Sequence, residues 1–124
     1  MELKNIFVAA LFFLVLLTSC TSSMTPSQVN NTLPTLTESM YYNQTQASAA
    51  TKNNTCKILV KGRTYAAPIG FTVKNDLKNA AKGIDEWVEL DGGNAYVFVN
   101  YKWLTVNDDG ATQLYIDFNT MRCE

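Results

Sequence analysis

A chain of 124 residues has room for one compact domain, and 10 Lys and Arg against 11 Asp and Glu leave a net charge of −1. That balance offers no basic face to neutralise phosphates, which excludes a nucleic-acid partner held by charge. Histidine is absent, and with it the commonest general base and metal ligand.

The first element begins after Lys4, where Ile6 to Leu17 runs without a polar residue. A spanning helix needs about 20 apolar residues, so this run has the length of a signal-peptide core instead. It ends in Leu17-Thr18-Ser19-Cys20, which resembles the bacterial lipobox: a Leu, two small residues and a Cys. The resemblance implies that residues 1–19 are a lipoprotein signal peptide, removed by cleavage before Cys20. It also implies that the Cys20 sulfur carries a diacylglyceryl group and that the new amino terminus is acylated, by palmitate for example. Only cysteine offers a thiolate to form that thioether. Several acyl chains at about 0.8 kcal/mol per buried methylene anchor a protein without spanning the bilayer. In the sorting rule of enteric lipoproteins an Asp after the cysteine retains the protein in the inner membrane. Thr21 stands there, which implies the outer membrane, with the domain facing the periplasm.

Thr21 to Thr55 is dominated by Thr, Ser, Asn and Gln, and Pro26 and Pro34 interrupt it. So little apolar surface does not offset the entropy of ordering a backbone, so residues 20–55 read as the lipidated cysteine and a flexible tether. A flexible chain of that length holds its domain roughly 30–35 Å from the lipid. A short helix around Leu36 to Tyr42, with Tyr41 and Tyr42 docking on the domain, fits the same stretch.

Residues 56–124 have a different character. "CKILVKGRTYA", starting at Cys56, is β-rich and reads as a strand. Val73, Leu77, Ala80, Ala81, Ile84 and Val88 then recur at helical spacing, and Gly92-Gly93 supplies a left-handed stop. Asn79 and Gly83 lower the intrinsic helicity, so packing on a sheet must hold this helix. "NAYVFVNYKWLTV" and "ATQLYIDFNTM" form a hairpin around Asn107-Asp108-Asp109-Gly110. The expected fold is α+β, β-α-β-β, one amphipathic helix on a three-stranded sheet. With Cys20 lipidated, Cys56 and Cys123 form an even pair in an oxidising compartment and read as one disulfide. Bridged Cα atoms lie within about 7 Å and adjacent strands about 4.8 Å apart, so the third strand must neighbour the first, in order 2-3-1.

Cys56, the helix with "NDLKNAA", the step Gly93-Asn94-Ala95-Tyr96-Val97 and the closing Cys123 together resemble small bacterial outer-membrane lipoproteins of the YjeI-like class. More distantly they resemble the domain of the Rcs-pathway stress-sensor lipoprotein. The resemblance covers Cys56 to Cys123 and implies a small disulfide-closed envelope domain. The stress sensor carries two domain disulfides and a longer proline-rich linker, so signalling through a membrane barrel does not carry over.

No catalytic constellation emerges. Asp85, Glu86, Glu89 and Asp91 could be imagined as paired carboxylates, yet at this spacing they read as a solvated helix face. Asp108-Asp109-Gly110 lacks the spaced ligands of a calcium loop, so no metal and no cofactor is expected. Strict alternation along the second strand puts Tyr96 and Phe98 on one face and Val97, Val99, Tyr101 and Trp103 on the other. One helix covers one sheet face, which leaves Tyr101, Trp103 and Tyr115 as a surface for an envelope protein or a glycan. The bland alternative is that the tether buries them or that they shield the sheet.

These features point to a non-catalytic lipoprotein with a small periplasmic binding domain, structural or envelope-sensing. The other class that fits is a lipid-held inhibitor of an incoming hydrolase such as lysozyme. Substituting Cys20→Ser is expected to abolish metabolic palmitate labelling and release the protein from the membrane fraction. Unlabelled wild-type protein would refute the anchor.

Overall fold

Residues 26–106, 108 and 110–124 are described by the computed structural model of the chain. The segment expected to be a signal peptide, the residues that resemble a lipobox and Cys20 lie outside the described residues. Among the described residues no helix is long and apolar enough to cross a membrane.

The elements run α1 (Pro26–Leu36), β1 (Met40–Tyr42), α2 (Gln44–Lys52), β2 (Cys56–Ala66), α3 (Val73–Leu90), β3 (Ala95–Thr105) and β4 (Thr112–Cys123). The strands form one mixed sheet of order β1-β3-β4-β2. The three long strands keep the neighbours expected of them, β4 lying antiparallel between β3 and β2. Cys56 stands opposite Cys123 in the register and is bonded to it, with Cα atoms 4.0 Å apart. The strand count and helix count of the expectation need correction: a fourth strand, β1, pairs parallel to β3, and two helices precede β2.

Those additions come from the stretch expected to be a tether, which is folded from residue 26 onward. In α1 only Val29, Leu33 and Leu36 are large and apolar, but they recur at i, i+4 and i+7. Val29 and Leu33 are fully buried in the main core with Leu77, Ala80, Ile84 and Phe118. Average composition hid a stripe that periodicity carries. Pro34, in the last turn, has no N–H to donate to the carbonyl of Asn30, and the helix ends two residues later at Leu36. Leu36 to Tyr42, expected to be helical, leads instead into strand β1. The docking of Tyr41 and Tyr42 does occur: Tyr41 packs against the main core and Tyr42 against a second cluster.

Helix α2 is short and polar, and local bonds hold it. Asn43 and Gln46 form a reciprocal capping box, Gln46 N donating to Asn43 Oδ1 at 2.7 Å and Asn43 N to Gln46 Oε1 at 3.0 Å. Its Ala47 and Ala50 pack on Cys56, Val97, Met121 and Cys123. The sheet is therefore covered on both faces near the disulfide.

Helix α3 starts at the cap Thr72, whose Oγ1 accepts from Asn75 N at 3.1 Å, and buries Leu77, Ala80, Ala81, Ile84 and Val88 as its spacing predicts. Gly83, a poor helix former, has a packing reason. A Cβ there would lie 2.0 Å from the Tyr65 ring, so only glycine lets β2 approach the helix. The helix stops at Asp91, and Gly92 follows at φ +80.

At that corner Asp91 accepts from Arg63 Nη2 at 2.6 Å, Arg63 Nε at 3.2 Å and Thr120 Oγ1 at 2.7 Å. The guanidinium also lies 3.9 Å over the Trp87 ring. The bonds from Arg63, chiefly, hold the Asp91 carboxyl below its ordinary range. A depressed carboxylate stabilises the fold above its unfolded value of about 3.9, and that contribution fades as pH falls through the lower folded value. Asp91→Asn is expected to cost about 1–2 kcal/mol at neutral pH. Thermal denaturation against pH should also show the variant losing less stability than wild type below about pH 4.

Candidate functional site

The aromatic surface expected from strict alternation does not form. Between Phe98↔Phe118 and Asn100↔Asp117 the register advances two residues on β3 for one on β4, a bulge at Val99. The extra residue reverses the alternation beyond it. Tyr101 and Trp103 consequently join Tyr96 and Phe98 against the helix-side core. Tyr115, paired with Lys102, remains on the opposite face, where the Lys102 ammonium lies 5.8 Å from its ring. Trp103 Nε1 is buried without a partner among the described residues, so that side chain serves packing.

Asp85 also departs from the solvated-face expectation. It accepts from Glu38 N at 2.8 Å, from Ser39 N at 3.0 Å and from Ser39 Oγ, and so clamps the α1–β1 connection onto α3. Beside it, Thr37 Oγ1 and Tyr96 Oη lie 3.1 Å apart. Burial, chiefly, pushes the Tyr96 phenol well above its ordinary range. Glu86 and Glu89 are exposed on α3.

Each edge of the sheet carries an open groove. The one along β2 is lined by Lys57, Lys61, Arg122 and Glu124 beside the disulfide. The one along β1, about 560 Å³, is lined by Asn30, Asn31, Tyr41, Tyr42, Asn43 and Gln46, with Pro34 and Met40 at its sides. Among the described residues, no charged side chain lines the β1 groove. Helix α1 supplies two of its amides and the capping box of α2 the other two, while alternation on β1 sends Tyr41 and Tyr42 to opposite faces. Tyr41 stacks at 6.2 Å on Phe98, meets Tyr96 edge-on at 5.7 Å, and donates from Oη to Asn30 Oδ1 at 3.1 Å. Burial raises its phenol, which stays protonated and a donor.

A primary amide presents donors and an acceptor on one rigid plane, the complement of neighbouring hydroxyls or of a backbone amide. Two tyrosines add apolar surface with polar tips. The groove can therefore hold an uncharged, hydrogen-bonding chain. The sequence signals for it were the paired tyrosines and the asparagines of "QVNN" and "YYNQ", which composition alone assigned to a tether.

No protein-family model, curated protein or solved structure matches this chain. Because Asp85 holds the α1–β1 connection on α3, Asp85→Ala is expected to expose Thr37–Ser39 to limited proteolysis. The remaining core from β2 to β4 should still melt cooperatively, which circular dichroism would check.

Proposed function

We propose that this protein is a lipid-anchored outer-membrane lipoprotein whose small periplasmic domain works by binding, without catalysis, in a structural or envelope-sensing role. The observation that carries the binding reading is the groove of amides and tyrosines along β1, which has no charged side chain among the described residues. Its chemistry favours an uncharged envelope glycan, read through hydroxyls by the four amides and through ring faces by tyrosine.

The use made of the carboxylates supports a non-catalytic role. Asp76 accepts from Gly70 N, Asp85 holds Ser39, Asp91 holds Arg63 and Thr120, and Asp117 accepts from Thr64 Oγ1. Each has a structural partner where a general acid or base would face an open cleft. The lipobox resemblance at Leu17 to Cys20 supports the anchor. Cys56 and Cys123, paired as expected in an oxidising compartment, agree with it.

The lipidated protein in detergent micelles, titrated with N-acetylglucosamine oligosaccharides, is expected to shift the side-chain amide resonances of Asn31, Asn43 and Gln46. The Asn31→Ala/Tyr42→Ala variant should lose most of that response. Unmoved resonances would overturn the glycan reading. Inhibition of lysozyme by the same preparation would favour the inhibitor class instead.

A further inference from the structure

The loop between β2 and α3 is built rigidly around one residue that the domain itself does not use. Asn79 Nδ2 donates to Pro68 O at 2.9 Å and Asn75 Nδ2 to Gly70 O at 3.2 Å. Gly70 N donates in turn to the buried Asp76 Oδ1 at 2.7 Å, and the cap bond from Asn75 N to Thr72 Oγ1 closes the set. Within this frame Phe71 takes φ +65 and is 96% exposed. A bulky side chain in left-handed backbone is a strained outlier, and a fully exposed phenylalanine gains nothing from the core. Both penalties fall on the same residue. Neither serves the fold.

Phe71 is not alone at that end of the molecule. Ala67 N donates to Leu114 O at 2.8 Å and Gln113 Nε2 to Ala67 O at 3.1 Å, which ties the start of the loop to the tip of the β3–β4 hairpin. Leu104, opposite Gln113, is 42% exposed and Val106 40%. Lys74 and Lys78 are exposed on the first turns of α3, and Lys102 on β3. Lys74 lies where the positive end of the helix disfavours a cation, so it too is unexplained by the helix. Asp108 is the acidic residue described in the hairpin turn.

We propose that this apolar, lysine-flanked end, led by Phe71 with Leu104 and Val106, rests in the surface of the bilayer that holds the lipid anchor. The inference depends on lipidation at Cys20. The length of the leash argues for lipid. Pro26, the first residue of α1, follows Cys20 by six positions, which span at most about 20 Å. A domain of about 100 residues has a radius of gyration near 13 Å, so it is roughly 30 Å across. A leash shorter than the domain it holds keeps part of the surface at the headgroups. Aromatic and aliphatic side chains with flanking lysines are the composition that settles there.

The test is indole depth in the full lipidated protein. Phe71→Trp and, as a control, Leu90→Trp are reconstituted into vesicles of phosphatidylethanolamine and phosphatidylglycerol whose acyl chains are brominated. Leu90, 76% exposed, lies at the opposite end of α3. Relative to wild type, the indole introduced at position 71 is expected to contribute blue-shifted emission that brominated lipid quenches, and the one at position 90 to stay unquenched. A second variant, Phe71→Gly, relieves the backbone strain and is expected to keep or raise the melting temperature, which would show that the phenylalanine is not retained for folding. Protein that floats with the vesicles while the indole at 71 stays as unquenched as that at 90 overturns the docking and leaves the anchor standing. Crosslinking from position 71 to a protein instead of lipid overturns it equally, and failure to float overturns anchor and docking together.

Discussion

The covalent pairing of Cys56 with Cys123 is the constraint on which the rest of the architecture depends. It joins the first residue of β2 to the last of β4, 67 positions apart in the chain. Closing a loop of that size removes unfolded-state freedom equivalent to about 4 kcal/mol in the chain-entropy model. For a small domain this rivals the whole net stability. The bridge places β2 against β4, so β3, joined to β4 by the hairpin, takes the other side, and the edge of β3 is left open. Strand β1 occupies that edge and α2 covers the sulfurs. The second core cluster, with Ala47, Ala95, Val97 and Met121, is organised around the bond.

An open β3 edge makes the amino-terminal segment part of the domain. Asp85 receives the α1–β1 connection, Asn94 O receives Met40 N at 3.0 Å, and Val29 and Leu33 complete the core over α3. Each contact is modest by itself. Together they convert a stretch with the composition of a linker into two helices and a strand, and they create the amide–tyrosine groove, since its walls are α1, β1 and the cap of α2. They also bring the start of the ordered domain to Pro26, where a tether to residue 55 was expected.

The bulge at Val99 acts on the other half of the sheet. One inserted residue gathers Tyr96, Phe98, Tyr101 and Trp103 against the helix-side core, with Phe98 and Tyr101 rings 6.3 Å apart and Tyr96 edge-on to Phe118 at 6.5 Å. The opposite face keeps Tyr115, Lys102, Asp117 and Thr64, a polar set with its own bonds. Of the three aromatic residues that looked like one surface, Tyr101 and Trp103 pack partly buried against the core and Tyr115 stays on the other face.

The sequence by itself determined the elements whose signal is local and periodic. These are α3 from its apolar spacing and its Gly92-Gly93 stop, the three long strands and the hairpin from their β-rich runs, and the disulfide with the strand order it enforces. It also carried the lipobox resemblance. Only the tertiary structure decided the rest. Whether Val29 and Leu33 suffice to order α1 depends on a partner surface on α3, and β1 exists because β3 has an unpaired edge. The faces of Tyr101 and Trp103 turn on one bulged residue that no alternation pattern reveals. Local periodicity reports what a segment can bury; the partner that buries it, and hence the groove formed between segments distant in the chain, is a property of the assembled core.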